Sequence, residues 1–123
     1  MKGYITNIEE ATIKNENFRE VLFTAPNSQL VVMSLKPKEE IGMEVHNLDQ
    51  FIRIESGTAK VILEGDESEV SDDYAIVIPA GTNHNIINTS SDKELKLYTI
   101  YSPAEHAPDT IHKTKEVENT FLD

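Results

Sequence analysis

A chain of 123 residues with 22 acidic against 11 basic side chains carries a formal charge of −11. That length allows one hydrophobic core without covalent staples, and the acidic balance excludes the basic footprint with which proteins grip nucleic acid or anionic membranes. Cysteine is absent, so disulfides and thiolate metal sites are excluded, and any metal has to be held by nitrogen and oxygen.

The N-terminal stretch MKGYITNIEEATIKN lacks the apolar region of a signal peptide. No apolar run approaches the ~20 residues of a membrane span. A cytoplasmic location is therefore expected, with no membrane partner. A helix is expected near residues 6–15 and a second near 113–120. Between them β-like runs recur: 19–24, 29–36, 51–56, 58–64, 67–71, 74–80, 84–90 and 95–102. Turn residues punctuate them, among them Pro26-Asn27-Ser28, Glu64-Gly65-Asp66 and Ala80-Gly81-Thr82-Asn83. Many short strands with tight connections imply an all-β sandwich or barrel. One domain over 1–123 is expected, with the barrel at about 19–102 and peripheral segments at 1–18 and 103–123.

Alternation assigns the faces. In 29–36, the run LVVM is apolar on both faces, as is IVI at 76–78. Such strands are covered on both sides. One cover is the barrel core, and the other is a partner subunit or the N-terminal segment. Phe51 and Tyr98 also fall on outward faces, which favours a homodimer. In 58–64, Lys60 faces out, and Val61 and Leu63 face in. In 95–102, Lys96 is expected to seek water, which sends Leu97, Thr99 and Tyr101 inward.

The chemistry-bearing residues cluster ahead of two strands. Glu44 and His46 in GMEVHNLDQ share a face if the segment is extended, and Gln50 keeps their parity if Asn47-Leu48-Asp49 does not break the register. Ile52 and Ile54 carry the face into the core. A polar inward end on an apolar inward body suits the mouth of a barrel, where a pocket opens. Asp49 reads as a turn-former or as a hydrogen-bond partner to a ligating residue. In PAGTNHNIIN, Pro79 ends a strand, Ala80-Gly81 turns, and His84 enters the next strand with Ile86 and Asn88 on its face. If these strands are neighbours, Glu44, His46, Gln50 and His84 converge. Two imidazoles, a carboxylate and an amide oxygen suit one divalent transition metal such as Fe, Mn, Co, Ni or Zn, and not Ca or Mg. The bland alternative is a hydrogen-bonded cluster with no metal.

In the closing segment SPAEHAPDTIHK, Pro103 and Pro108 keep the chain extended. His106 there either crosses the mouth and meets a ligand or packs on the surface, and His112 reads as incidental. Inward residues Met33, Ile52, Leu63, Ile86 and Tyr101 are candidates for the pocket wall. No G-x-S-x-G, P-loop or dinucleotide fingerprint is present.

These motifs resemble those of the cupins. Pro79, Gly81, His84 and Asn88 match the spacing of the second cupin motif, G-x5-P-x-G-x2-H-x3-N, with Asp73 in place of its glycine. The first motif, G-x5-H-x-H-x3-E-x6-G, is matched more loosely: with its last glycine on Gly57, Gln50 stands for the glutamate, His46 for the second histidine, Glu44 for the first, and Lys38 for the leading glycine. The chain is similar to short cupins often labelled mannose-6-phosphate isomerase-like. The resemblance covers about residues 20–115 and implies a double-stranded β-helix (jelly-roll) barrel of two antiparallel sheets, a metal at its open end and a dimer. Two of the family's four ligands are replaced by oxygen donors. Glu44 keeps one negative charge on the cation while Gln50 contributes none, so Glu44, His46 and His84 form a two-histidine, one-carboxylate set. That set is associated with iron(II) and oxygen chemistry, and the same donors hold zinc as a Lewis acid. The expected function is an oxygenase- or isomerase-type metalloenzyme acting on a small chelating polar molecule. The alternatives are a non-catalytic binding or sensing module and a metal-free structural barrel.

Overall fold

The computed structural model describes residues 1–115. One helix, α1 (Ile8–Lys14), is followed by β1 (Arg19–Thr24), β2 (Gln29–Leu35), β3 (Asp49–Ser56), β4 (Thr58–Leu63), β5 (Asp66–Ser71), β6 (Ala75–Ile78), β7 (His84–Asn88), β8 (Leu95–Ser102) and a two-residue β9 (Ile111–His112). They form a six-stranded sheet, β6-β3-β8-β2-β1-β9, and a three-stranded one, β5-β4-β7. Pairing is antiparallel throughout, as in a jelly roll. No helix among the described residues is long and apolar enough to cross a membrane.

The sheets face each other across side chains that alternation turns inward. Val31, Met33, Leu35, Ile52, Ile54, Val61, Ile86, Leu95 and Leu97 fill the space between them, none more than 2% exposed. Each such side chain contributes roughly 1.5–3 kcal/mol by leaving water. Gly57, between β3 and β4, has φ +119, and a Cβ there would sit 3.1 Å from both the Glu94 carbonyl and Leu95 Cδ1. Only glycine lets that end of the barrel close.

Asn7 starts α1, its side chain accepting from the Glu10 N–H, with Glu9 and Glu10 in the first turn and Lys14 in the last. The helix packs on β8, β3 and β2 on the outer side of the large sheet. Here one expectation needs correcting. Lys96 does not reach water. It is 9% exposed, its ammonium donating to the Asn15 carbonyl and Ser34 Oγ and pairing with Glu94 at 3.2 Å. The segment that ends α1 covers it and supplies the acceptor, so a parity that rightly sent Leu97, Thr99 and Tyr101 inward did not leave their neighbour solvated. Val77, on the outer face of the edge strand β6, is 66% exposed in the single chain, as an apolar face left for a partner would be. The helix expected at 113–120 falls mostly outside the described residues.

Candidate metal centre

Glu44 and His46 do not lie on β3. They belong to an extended lead-in that runs antiparallel to β7, with bridges Glu40↔Ile87 and Glu44↔His84. Glu44 and His84 exchange both backbone hydrogen bonds, at 2.8 and 2.9 Å. Alternation in the lead-in exposes Met43 and Val45 and turns Glu44 and His46 inward. The turn before β7 is tied to the same segment: the Gly81 N–H, at φ +84, donates to the His46 carbonyl, and the Ala80 N–H donates to Asp49 Oδ1. Asp49 thus holds the turn that delivers His84, rather than a side chain of the cluster.

The result places one donor atom each from Glu44, His46 and His84 within 4.8 Å of one another. The two imidazole rings lie 5.3 Å apart. His84 Nδ1 sits 2.9 Å from the Thr82 carbonyl. Donation to that oxygen fixes the proton on Nδ1 and leaves Nε2 a bare lone pair. Gln50, on β3, faces the same end. Its Nε2 donates to Thr99 Oγ1, which leaves Oε1 as the spare acceptor. His46 Nε2, His84 Nε2 and Gln50 Oε1 are all buried without a hydrogen-bond partner. Each orphaned atom of this kind costs about 1–3 kcal/mol. Two bare imidazole nitrogens within 4.8 Å of a carboxylate are the arrangement a cation satisfies, and the donor set is that of a borderline divalent metal.

The titration behaviour is consistent with a poised cluster. Burial alone would raise the Glu44 carboxyl, but His46 beside it, with Arg19 and His84, holds its pKa below the ordinary value. The Glu44 contact raises the His46 pKa against the opposing effect of burial, with help from Glu105. His46 stands 3.7 Å from Glu44 through Nε2 and 2.9 Å from Glu105 through Nδ1.

Of the candidate wall residues, Tyr101 and His106 reach the cluster. The Tyr101 ring is edge-on to His46 at 6.0 Å and to His106 at 5.3 Å. Burial pushes the Tyr101 phenol well above its usual range. Burial likewise, with Arg19 and His112 nearby, pushes His106 down to about 3, so its ring is neutral, and its buried Nε2 has no partner. Met33, Ile52 and Ile86 are buried in the same core as Tyr101, and Leu63 packs at its margin. Three contributors escaped the sequence reading. Arg19 is 1% exposed on β1 and acts on Glu44, Tyr101 and His106. It shares inward parity with Val21, a signal legible in the strand itself. Gln29 and Glu105 left no such trace.

Comparison with known proteins agrees with this fold. The cupin domain family model matches residues 31–101. The uncharacterized protein L612 of Acanthamoeba polyphaga mimivirus is 52% identical over 113 residues, covering 88% of this chain and 70% of that protein. The uncharacterized protein YrkC of Bacillus subtilis (strain 168) is 45% identical over 121 residues, and the match spans 93% of this chain but only 64% of YrkC. The crystal structure of BH2720 from Bacillus halodurans superposes with a TM-score of 0.94 at 42% identity, covering 97% of this chain and 95% of that one. KdgF from Halomonas sp. shares the fold at a TM-score of 0.66 and 23% identity, over 71% of this chain and 78% of its own.

Proposed function

The chain belongs to the cupin domain family, and from that membership we propose that it binds one divalent transition metal per subunit and presents it to a small polar organic ligand. Glu44, His46 and His84 would hold the cation, with Gln50 Oε1 as a fourth, weaker donor. The observation that carries this reading is the set of buried, partnerless polar atoms beside the Glu44 carboxylate. A cation there supplies Lewis acidity toward a carbonyl or hydroxyl, or a redox centre for oxygen chemistry.

The chain's own residues set the rest. Tyr101 and His106 stand beside the cluster as the groups a ligand would meet: a phenol that keeps its proton, and a neutral imidazole with a bare nitrogen able to accept one. Together with the metal they suit an oxygenase- or isomerase-type reaction on a chelating substrate, in the cytoplasm. The half-buried Phe51–Tyr98 pair at 6.3 Å and the exposed Val77 offer a sheet face for a homodimer.

Elemental analysis of protein grown with Fe, Mn, Co, Ni and Zn supplied tests the reading. About one equivalent of a transition metal is expected, and loss of it in His84→Ala. Metal-free protein under those conditions would favour the rival reading, a structural barrel in which the 3.7 Å Glu44–His46 contact is an end in itself.

A further inference from the structure

Two carboxylates flank one imidazole, and they pull its protons in opposite directions. Glu44 Oε1 stands 3.7 Å from His46 Nε2, whereas Glu105 Oε2 stands 2.9 Å from His46 Nδ1. A neutral imidazole carries one proton, on whichever nitrogen has the better acceptor. If Glu44 wins, Nε2 bears the proton and the nitrogen facing the cluster is blocked. If Glu105 wins, the proton sits on Nδ1 and Nε2 offers its lone pair. We infer that Glu105 is the positioning residue that decides this contest, holding His46 with Nε2 bare, and that Gln29 is the clamp that keeps Glu105 in place. The inference rests on the metal-binding reading above and assigns to it residues outside the ligand set.

The clamp is fully formed. Gln29, 1% exposed at the start of β2, accepts from the Glu105 and His106 backbone N–H groups at 3.2 and 3.0 Å. Its amide donates to the His106 carbonyl at 2.7 Å and to Thr24 Oγ1 at 2.9 Å. The side chain therefore grips residues 105–106 from both sides of the peptide, and all its hydrogen-bonding groups are used. Without it, a proline-flanked segment with no strand of its own would carry Glu105 past the barrel mouth unheld. The contrast with His84 is instructive. That ring takes its tautomer from a carbonyl two residues away, Thr82, inside its own turn. His46 has no such local acceptor, and the charged group within reach of its Nδ1, Glu105 at 2.9 Å, comes from a segment distant in sequence. A carboxylate there also raises the basicity of the ligating nitrogen, which a carbonyl does less strongly.

Removing such a partner typically costs about 10–100-fold in metal affinity. The test is Co(II) titration of the intact chain, followed by the d–d absorption and by calorimetry, alongside 15N shifts of the His46 ring in metal-free protein at alkaline pH, where the ring is neutral. In the wild type we expect Nδ1 protonated and Nε2 bare. Glu105→Ala should move the proton to Nε2 and weaken Co(II) by about 10–100-fold. Glu105→Gln, which keeps an acceptor oxygen without the charge, should retain the tautomer and lie between the two, and it serves as the variant to read if the alanine form does not fold. Gln29→Ala should weaken Co(II) alone but add nothing on top of Glu105→Ala, as expected for a residue acting only through Glu105. Wild-type affinity together with an unshifted tautomer in Glu105→Ala overturns the inference. Wild-type protein that takes up no Co(II) sinks the metal reading instead, and the tautomer measurement then decides by itself whether Glu105 positions His46.

Discussion

His84 and Asn88 stand at the two ends of one short strand, β7, on the same inward face, and both are buried. They are used in opposite ways. Asn88 donates its amide to the carbonyls of Leu35, Lys36 and Lys93 and accepts from the Ser90 N–H, so it knots the closed end of the barrel and leaves nothing over. His84 spends only Nδ1 and leaves Nε2 bare at the opposite end. A polar residue whose every atom is satisfied belongs to the scaffold. One with an orphaned atom, among others likewise orphaned, is held ready for something else.

The largest effect should come from breaking the scaffold end. Asn88→Ala strips the four hydrogen bonds of a fully buried side chain, and a loss of about 3 kcal/mol in urea unfolding is expected. His84→Leu, in metal-free buffer, removes the unpartnered Nε2 together with the Nδ1–H bond to the Thr82 carbonyl; the two effects oppose each other, and stability should change by less than ~1 kcal/mol. Equal losses from the two would erase the distinction. Next in size is the metal itself. At a hundredfold excess over Kd, a cation that binds only the folded state should stabilise the wild type by about 2.7 kcal/mol, while His84→Leu should gain almost nothing when melted beside it.

Gln50→Glu sharpens the site end further. Exchanging the partnerless amide oxygen for a carboxylate should tighten Zn(II) or Co(II) about tenfold, roughly 1.4 kcal/mol, by competition against a chromogenic chelator. An unchanged affinity would remove Gln50 from the ligand set. The last test reads a change of slope rather than a single value. His106 is held near 3 in the folded chain against 6.5 when exposed, so folding resists its protonation. Its contribution is fully present above pH 6.5 and is lost as pH falls from 6.5 toward 3. His106→Asn, unfolded by urea in the presence of a chelator across that range, should show a shallower acid loss than the wild type.

Much of this molecule is legible in its sequence. The runs at 19–24 and 95–102 are strands over those same residues, and the others shift by only a few positions at their ends, because each is short, alternating and bounded by turn chemistry. The spacing Pro79, Gly81, His84, Asn88 placed one imidazole correctly at a strand entry. The misreadings share a cause. Lys96 looked solvated because nothing in its strand announces the Asn15 carbonyl that meets it. At Val77, alternation shows that a face is apolar without showing what lies over it, and among the described residues of the single chain nothing does. Glu105 carries no periodic or motif signal, and its role exists only because Gln29 grips its backbone from the other side of the chain.

The sequence by itself determined the β architecture, the two turn-flanked histidines and the acid that accompanies them, since these depend on neighbours a few residues apart. The tertiary structure alone decided that Glu44 meets His84 through a bridge outside β3, that Gln50 is left with a bare oxygen, and that a distant carboxylate faces the second nitrogen of His46. The physical reason is that hydrogen-bond satisfaction is a property of the whole packed barrel. Whether a buried nitrogen is paired or orphaned depends on every segment that reaches it, and most of those segments are far away along the chain.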